Sequence, residues 1–445
     1  TTVMTMKKLL FLSILVLLVS CQKNEPNDVF GKTPSERFEQ SQSELRAALT
    51  APQQGWKLAY ATNKEKFGTF NVLMKFSAEG TVTMTSDIGG SYTPTNSQYT
   101  IQEAQGTLLV FSTYNHIHKL GDPQNPSDLN GKGLEGEFQF IYYGKEGDKL
   151  KFRTQRKDTE QFVYFEPATA DDWANVETWG ENINLIEDNA DNYFFTVSNT
   201  ATSTGYEMSF AHRFLTLKSI TGNETVKANV VPTDNGIAFE PALSLLGKNF
   251  TGLVRDNSTN PPTYKATVEG TTAKLSYSLV PPQELINDDY KHINTSISGL
   301  VIVPNPMVNH PLMSDSFKEL LELGGGKTFA IFRLDFEDDG TCSIQVGYKF
   351  DGDSRNSWIY LDCNYELNNK RLYLNNPTAL NVQNSWRRTQ NAAILAKGRV
   401  LIQKILDLGA GGFYVKSSGT YSGYKLYRLQ SFSAPEYIAP FLGID

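Results

Sequence analysis

Residues 69–87 read TFNVLMKFSAEGTVTMTSD, and this stretch decides the fold class of the chain. Val72, Met74 and Phe76 are each separated by one residue, so they fall on one face of an extended segment. Because successive side chains of a strand point to opposite faces, we expect this apolar face to lie in a core. Gly80 then stands in an acidic turn, and a second alternating run begins at Thr81. The stretch predicts two antiparallel strands joined by a tight turn.

Similar short runs surround this hairpin between residues 56 and 167, with Gly, Asn and Asp between them. Including the hairpin, they suggest about eight strands, which favours an antiparallel sandwich or an up-and-down, lipocalin-like barrel. A helix is predicted before them, because Thr33 suits the cap, Pro34 the first helical position and Glu36 the acid of a capping box. We expect this helix to run to about Leu49 and to cover the sheet.

Strand-like runs return after residue 168, where Thr169 and Asp172 can form another capping box. Prolines between residues 304 and 311 indicate a linker. We expect mainly β structure with a few helices (α+β), and an alternative division joins residues 168–445 into one domain. The predicted lobes are an N-terminal β lobe (33–167), a middle β-rich lobe (168–303) and a C-terminal α+β lobe (304–445) with a final helix from about Thr389 to Leu408.

The last lobe repeats features of the first. A capping box opens at Ser316, and strand-like runs follow it on both sides of a glycine turn. When Phe76 is aligned with Phe336, Gly80 falls on Gly340. The order of helix, strand, acidic turn and strand therefore occurs twice, either because the lobes are related or because hairpins share turn chemistry.

The start of the chain carries the parts of a secretory signal in order. Lys7 and Lys8 precede an apolar run from Leu9 to Leu18, and small Ser20 stands directly before Cys21. The run is too short to cross a bilayer, which needs roughly 20 apolar residues. Residues 1–20 are therefore predicted to be a signal peptide that is removed.

Residues 18–21 read LVSC, which resembles the lipobox of bacterial lipoproteins. The resemblance implies that Cys21 is acylated, and several acyl chains on one residue give a stable membrane anchor. The tether that follows, residues 21–32, contains Glu25 and Asp28 and resembles the export signal of surface lipoproteins in Bacteroidetes. This implies an outer-membrane protein exposed at the cell surface, with anchoring toward the periplasm as the alternative.

Composition argues against one class of partner. The net charge is −7, with 48 acidic and 41 basic residues. Binding to phosphate backbones draws on clustered Lys and Arg, which this sequence lacks, so nucleic acid is not expected as a partner. The 21 tyrosines suit strand-rich structure and also suit surfaces that contact sugars or peptides.

Two short patterns have a chemical interpretation. His116 and His118 would share one face of an extended segment and could bind Zn²⁺ if a third ligand converged. No paired cysteine or HExxH motif supplies that ligand, so no metal is predicted. Glu135 and Glu137 could serve as acid and base if their carboxyl groups stood roughly 5 to 9.5 Å apart across a cleft. No catalytic residue and no cofactor is assigned.

Four stretches resemble one family. They read PSERFEQSQSELRAALTAPQQGWKLAY (34–60), LMKFSAEGTVTMTSD (73–87), LLVFSTYNHIHKLGDP (108–123) and GKGLEGEFQFI (131–141). Together they resemble the Bacteroidetes surface lipoproteins of domain of unknown function 4302, most fully over residues 33–167 and more loosely to the end. The pattern positions of the family fall on Tyr114, Asn115, His118, Asp122, Pro123, Gly136, Glu137 and Phe138. Gln139 replaces the second acid of the usual Gly-Asp-Phe-Glu-Phe run.

The resemblance implies a function and partners. Members of the family resemble accessory lipoproteins of starch-utilisation-type uptake systems, so the expected partners are a TonB-dependent transporter with its lipoprotein lid, outer-membrane lipid and a glycan or peptide ligand. We expect a nutrient-binding protein. One alternative is a hydrolase from the same kind of locus, and another is a scaffold of the transporter complex that contacts no ligand.

The segment from Tyr114 to Glu137 is the best candidate for a site. It contains a long irregular run within an otherwise tight sheet, and long loops in compact domains are often functional. The predicted ligand rim comprises Tyr114, Asn115, His118, Asp122 and Glu137. The alternative is structural, with Asp122 and His118 tying down the loop.

Cys342 and Cys363 lie in two strand-like runs joined through DGDSRNS, residues 351–357. A hairpin centred between Gly352 and Asp353 sets the two cysteines directly opposite each other. Opposed residues are close enough for a disulfide, and export exposes the chain to an oxidising compartment. A bulge in the connection would instead turn one thiol to the other face. The role of the pair is structural either way.

Overall fold

The computed structural model describes residues 31–383 and 392–445. The described residues form two compact units that divide after Glu181. Cys21, the predicted signal peptide and the predicted helix start near Thr389 lie outside the described residues. Within the described ranges, no helix combines the length and the apolar character that a membrane span requires.

The first unit contains a closed barrel of eight antiparallel strands, which confirms the up-and-down arrangement. Each strand pairs with the next along the chain, and the eighth pairs with the first to close the barrel. The elements are α1 (Pro34–Thr50), β1 (Trp56–Tyr60), β2 (Phe70–Phe76), β3 (Thr81–Ser86), β4 (Thr95–Glu103), β5 (Thr107–Phe111), α2 (His118–Gly121), β6 (Gln139–Glu146), β7 (Lys149–Arg153) and β8 (Phe162–Pro167).

The β2–β3 hairpin has the geometry that its sequence predicts. Phe76 pairs with Val82 and Met74 with Met84, and Gly80 takes a φ of +92° that glycine adopts at little cost. Val72, Met74 and Phe76 are buried in the core of the first barrel. The alternating pattern therefore fixes which face of the hairpin is inside.

Helix α1 begins with the predicted capping box. The Thr33 hydroxyl accepts a hydrogen bond from the Glu36 backbone N–H (3.3 Å), and the Glu36 carboxylate accepts one from the Thr33 N–H (2.8 Å). Leu45 and Leu49 are buried against the barrel core. The Trp56 indole N–H donates to the Leu49 carbonyl (3.0 Å), which ties the end of α1 to β1.

The second unit begins within a helix and continues into another closed barrel of eight antiparallel strands. The first turn of that helix is held by Thr169 and Asp172, whose side chains and backbone form the predicted capping box. The elements are α3 (Ala170–Glu187), β9 (Tyr193–Ser198), β10 (Ser203–Ala211), β11 (Phe214–Ser219), β12 (Thr225–Thr233), β13 (Gly236–Leu245), β14 (Lys248–Asp256), β15 (Thr263–Val268) and β16 (Thr271–Tyr277).

Strand β14, with the sequence KNFTGLVRD, lacks the alternation by which a strand is recognised in sequence. Its buried residues Phe250 and Leu253 are three positions apart, so strict alternation is broken. The β13–β14 pairing contains a register shift between Ala238 and Leu243. A bulge of this kind changes which side chains face inward, and a period of two then no longer identifies the strand.

The third group of strands also closes into a ring of eight. Strand β17 pairs with both β18 and β25, and β19 pairs with β20, so the ring runs β17 to β21 and then β23 to β25. Strand β17 precedes residue 304, where the sequence places the lobe boundary. The elements are β17 (Gly299–Ile302), α4 (Pro304–Met307), α5 (Asp315–Leu323), β18 (Phe329–Phe336), β19 (Thr341–Tyr348), β20 (Ser357–Asn368), β21 (Arg371–Asn375), β22 (Asn381–Val382), α6 (Ala392–Ala410), β23 (Phe413–Tyr421), β24 (Tyr424–Ser431) and β25 (Ile438–Ile444).

One junction of this third barrel is narrow. A single residue pair, Leu372 with Phe413, joins β21 to β23. Helix α6 lies between these strands in sequence, and its Leu401 and Ile405 share the barrel core with Leu372. The junction between β21 and β23 is therefore held by a short hydrogen-bonded ladder together with apolar packing by helix α6.

The start of helix α5 differs from the prediction. Its cap is Ser314, whose hydroxyl accepts from the Phe317 N–H (3.2 Å), and Ser316 lies inside the helix. The Ser314 hydroxyl also accepts from the Ile438 N–H on β25 (3.0 Å). The predicted cap at Ser316 is wrong because a tertiary partner, which the local sequence does not reveal, favours the earlier serine.

The repeated hairpin has the same register in the first and third barrels. Phe336 pairs with Cys342 as Phe76 pairs with Val82, and Gly340 has a φ of +86°. In both barrels a tyrosine of the next strand donates its hydroxyl to the residue after the phenylalanine: Tyr99 to the Ser77 carbonyl (2.7 Å) and Tyr365 to the Glu337 carbonyl (3.1 Å). The correspondence therefore extends beyond the turn to a third strand.

Candidate functional site

The connection between β5 and β6, residues 112–138, covers one end of the first barrel. It contains the short helix α2, and its Ile117, Leu120 and Leu134 are buried in the barrel core. Gly136 lies so close to this helix that a Cβ there would stand 2.6 Å from the Leu120 Cβ. The predicted rim segment is therefore a packed cover and has a defined shape.

Three rings form a column in this cover. Tyr114 stacks on His118 with a centroid distance of 5.3 Å, and His118 stacks on Phe138 at 4.5 Å. The interplanar angles are 28° and 23°, so the rings lie nearly parallel. Tyr114 is the outer ring and is 64% exposed. The column therefore presents one aromatic side chain to solvent and holds its inner rings in the fold.

The middle ring is held by the backbone. Nδ1 of His118 accepts a hydrogen bond from the Asn115 N–H (3.2 Å), and the imidazole also bonds to the backbone of Phe111. Burial lowers the pKa of His118, which favours the neutral ring at neutral pH. Asn115 is itself buried, and its amide donates to the Ser97 hydroxyl. His118 and Asn115 thus help to hold the ring column in position.

The outer ring lies near a carboxylate, that of Asp122. Burial raises the pKa of Tyr114, with further contributions from the charge of Asp122 and a hydrogen bond to that carboxylate. Asp122 also accepts from the Gln124 N–H (2.9 Å). Tyr114, Asn115 and His118 are thus brought together by direct contacts, and the charge of Asp122 lies near enough to affect the pKa of Tyr114.

Glu137, the fifth predicted residue, makes a separate set of contacts. Its carboxylate accepts a hydrogen bond from the Gln155 N–H (2.7 Å) in the β7–β8 connection. Burial raises the pKa of Glu137, and hydrogen bonds from the backbone of Gln155 and Arg156 oppose that rise. The Glu137 carboxylate therefore fastens the cover to a neighbouring loop, and among the described residues no hydrogen bond joins it to the rings of the column.

Glu135 is tied down more strongly. Its carboxylate accepts from the Lys66 ammonium (2.7 Å) and from the Asn63 amide (2.7 Å). Burial pushes the pKa of Glu135 upward, but the bonds from Lys66 and Asn63 outweigh it and the pKa is lowered. The pKa values of Glu135 and Glu137 are thus shifted in opposite directions.

The two histidines of the HIH pattern do not form a metal site. Nδ1 of His116 lies 2.9 Å from the Ser86 hydroxyl, and Nε2 lies 3.3 Å from the Thr93 carbonyl. Burial lowers the pKa of His116. Among the residues described by the structure, no group of three or more His, Cys, Asp or Glu could hold a metal ion.

Cys342 and Cys363 are directly opposed in the β19–β20 ladder, which confirms the predicted register. Both side chains are buried in the core of the third barrel, and both thiols are free. Burial raises the pKa of Cys342, whereas a hydrogen bond from Cys342 lowers the pKa of Cys363. The pair is a structural feature of the third barrel, and its oxidation remains a prediction.

Sequence reasoning missed Phe138 as a member of the site. Phe138 belongs to the Gly-Glu-Phe run of the family pattern. In that run Glu137 is the expected site residue, because carboxylates often take part in binding and catalysis. A histidine between two aromatic residues in a family pattern is a signal for stacking, although the pairing requires the loop to fold back on β6. Phe138 is partly buried against the barrel core, as an inner ring must be.

Two comparisons with known proteins bear on this arrangement. The family model described as Domain of unknown function (DUF4302) matches residues 26–257, just over half of the chain. The match spans the whole first barrel with its ring column and the second barrel as far as β14. A comparison with curated proteins gave no match. The extent of the family match establishes that the chain belongs to the family Domain of unknown function (DUF4302).

Proposed function

We propose that this protein is an outer-membrane surface lipoprotein that captures a glycan as an accessory to a TonB-dependent transporter. The single observation that supports ligand capture is the ring column, in which exposed Tyr114 stacks on His118 and His118 stacks on Phe138. Aromatic faces offer large contact areas, and a ring that is already ordered loses little conformational entropy when a ligand binds. The apolar C–H faces of a sugar ring are suited to such a surface.

The cellular part of the proposal comes from the sequence. A signal segment, Cys21 in a lipobox-like setting and a polar tether support acylation and surface anchoring. The family resemblance supports an origin in Bacteroidetes and a starch-utilisation-type uptake system. The transporter and its lipoprotein lid are therefore the expected partners, and transfer of captured ligand to them is the expected role.

Glycan binding by the Tyr114→Ala variant tests ligand capture. Affinity electrophoresis against a panel of polysaccharides, followed by calorimetry with oligosaccharides of those bound, should show a loss of about tenfold or more. Tyr114→Phe removes the hydroxyl and keeps the ring, so it should retain most of the affinity. Tyr424→Ala is the control, because Tyr424 is also exposed but lies in the third barrel.

Unchanged glycan binding in Tyr114→Ala, with melting temperature preserved, would refute the column as the capture site. Binding of peptides but of no glycan in the panel would refute the ligand class. Pull-down from native outer membranes should recover a TonB-dependent transporter. Recovery of the transporter without any ligand binding would favour a scaffold.

One observation favours a hydrolase as the second candidate. The pKa values of Glu135 and Glu137 are shifted in opposite directions, as occurs when two carboxyl groups act as base and acid. Against it, both carboxylates are occupied by Lys66, Asn63 and backbone donors. We expect no new reducing ends when bound oligosaccharides are incubated with the protein. Cleavage that disappears in Glu137→Gln would instead establish the hydrolase.

A further inference from the structure

A polar cleft of about 890 Å³ lies within the second unit. Its walls are strands β9 to β11 of the second barrel, the connection after β16, and the third barrel at the β20–β21 turn and β23. Six side chains on these walls carry the argument: Phe194, Glu207, Lys218, Ile220, Tyr414 and Lys416. The cleft is large enough for a short oligomer and combines apolar contacts with hydrogen-bonding groups, as ligand sites do.

The third-barrel wall of the cleft carries Lys416, which has a second cation beside it in the sheet. Lys416 on β23 is directly opposite Arg428 on β24. Like charges at opposed positions destabilise a ladder unless a counter-charge is supplied. Burial lowers the pKa of Arg428, and its guanidinium donates a hydrogen bond to the neutral Gln430 amide oxygen (2.8 Å). Within the described ranges, no carboxylate lies in salt-bridge distance of either cation.

Asp191, Glu207 and Asp288 line the cleft, and within the part of the chain that the structure describes none of them forms an ion pair with Lys416 or Arg428. Glu207 is directly opposite Lys218, and Asp288 pairs with Lys291 (2.9 Å). Asp289 accepts from the Ser417 N–H (2.7 Å) and from a neighbouring asparagine amide. Asp191 contributes a nearby negative charge to Arg428. Lys416 therefore lines an open cleft next to a second cation, and within the described residues neither Lys416 nor Arg428 has a bonded counter-charge.

We infer that this cleft binds a carboxylate-bearing oligosaccharide, with the carboxylate at Lys416, whose ladder neighbour Arg428 adds to the positive charge there. Half-buried Phe194, exposed Ile220 and the Tyr414 side chain offer apolar contacts for sugar rings. A ligand carboxylate would supply the counter-charge that the protein lacks there, and hydrogen bonds to charged groups are stronger than neutral ones. This inference does not depend on the proposed function, because Tyr114 belongs to the first unit.

The test compares uronate-containing oligosaccharides with their carboxyl-reduced counterparts by calorimetry at low salt. We expect at least one acidic oligosaccharide to bind, with reduction of its carboxyl groups weakening binding about tenfold or more. Added salt should weaken the acidic ligand further. Equal binding of acidic and reduced forms, or no binding of any acidic oligosaccharide in the panel, would overturn the inference. Preference for peptides with a free carboxyl terminus would overturn the ligand class.

Variants locate the site. Lys416→Gln should weaken the acidic ligand about tenfold, and Lys416→Arg should keep the affinity. Lys425→Gln removes an equivalent exposed charge from the same barrel and should have no effect. Tyr114→Ala should also leave this binding intact, which separates failure of the cleft from failure of the ring column. Unchanged affinity in Lys416→Gln, with binding present in the wild type, would show that the ligand sits elsewhere.

Discussion

At the scale of the residue, Cys342 and Cys363 are positioned for a disulfide bond, which export to an oxidising compartment would favour. The lowered pKa of Cys363 raises its thiolate fraction, and the thiolate is the form that begins disulfide exchange. Opposed strand residues have Cα separations of about 4.5 to 5.5 Å, within the range that a disulfide accepts. The two strands can therefore form the bond while keeping their register.

We predict that a mild oxidant joins Cys342 to Cys363 within one chain. Thiol counting on unfolded, unreduced protein with Cys21 removed should fall from two thiols to none after oxidation. Cys363→Ser should retain one thiol throughout and serves as the control. Two reactive thiols after oxidation of the folded protein would contradict the prediction.

Glu137 predicts a pH dependence of stability. Burial raises the folded-state pKa of Glu137 above its ordinary value of 4.5, so between these pKa values the folded state binds more protons than the unfolded state. The contribution of Glu137 to stability therefore falls as pH rises through that window. Glu137→Gln should remove the fall, and its melting temperature relative to wild type should increase as pH rises from 4.5.

The control for this measurement is Glu39→Gln, which makes the same change of charge at an exposed position of helix α1. Its melting temperature relative to wild type should change little over the same pH range. A difference between wild type and Glu137→Gln that is flat or opposite in sign would contradict the assignment of burial as the dominant cause.

The candidate site was partly predictable from residue types. Tyr114, Asn115, His118 and Asp122 fall within one short stretch, so a loop that closes on itself brings them together. Glu137 is grouped with them because it ends the same irregular segment and belongs to the family pattern, yet its carboxylate accepts a hydrogen bond from the Gln155 backbone N–H. That contact depends on the packing of two loops, which local sequence does not encode.

At the scale of the element, the two serines at the start of α5 make a matched pair. Ser314→Ala removes the acceptor for both the Phe317 and Ile438 N–H groups, so it should lower the free energy of unfolding by about 1 to 2 kcal/mol. Ser316→Ala should change it by less than about 0.5 kcal/mol, because alanine is well suited to a helix interior. Chemical unfolding measures both, and a larger loss in Ser316→Ala would contradict the cap assignment.

Most elements followed from the period of the sequence, and the exceptions have a common cause. The β2–β3 hairpin alternates strictly and was predicted with its buried face. Strand β14 does not alternate, because a bulge in β13 shifts its partner. Ser314 is not predicted as the cap of α5, because Ile438, its second donor, lies more than a hundred residues away. Long-range partners decide these details, and no local window contains them.

At the scale of the whole molecule, the described chain consists of three eight-stranded barrels in succession. The sequence indicated three β-rich lobes and left a closed barrel and a sandwich as alternatives, because closure depends on pairing between the first and last strands. Those strands can be more than a hundred residues apart, as β17 and β25 are. The alternation of apolar and polar residues predicts where strands lie in the sequence, but it does not predict which strands pair with each other.

Anchoring is the property of the whole molecule that a single substitution should remove. Cys21→Ala should leave the protein folded but release it from the membrane, because the acyl chains have no other attachment point in the proposal. Palmitate labelling and membrane fractionation measure the two effects, and circular dichroism checks the fold. Labelling that persists in Cys21→Ala would refute the lipoprotein assignment.

The narrow junction between β21 and β23 has a consequence for local opening. One ladder pair, Leu372 with Phe413, leaves few amide hydrogens protected across that junction, whereas β23 and β24 pair along most of their lengths. Hydrogen–deuterium exchange should therefore be faster for amides of β21 that face β23 than for those in the β23–β24 ladder. Leu401→Ala on α6 should increase this difference selectively, since the helix packs over the junction. The third barrel would then open first at the junction between β21 and β23.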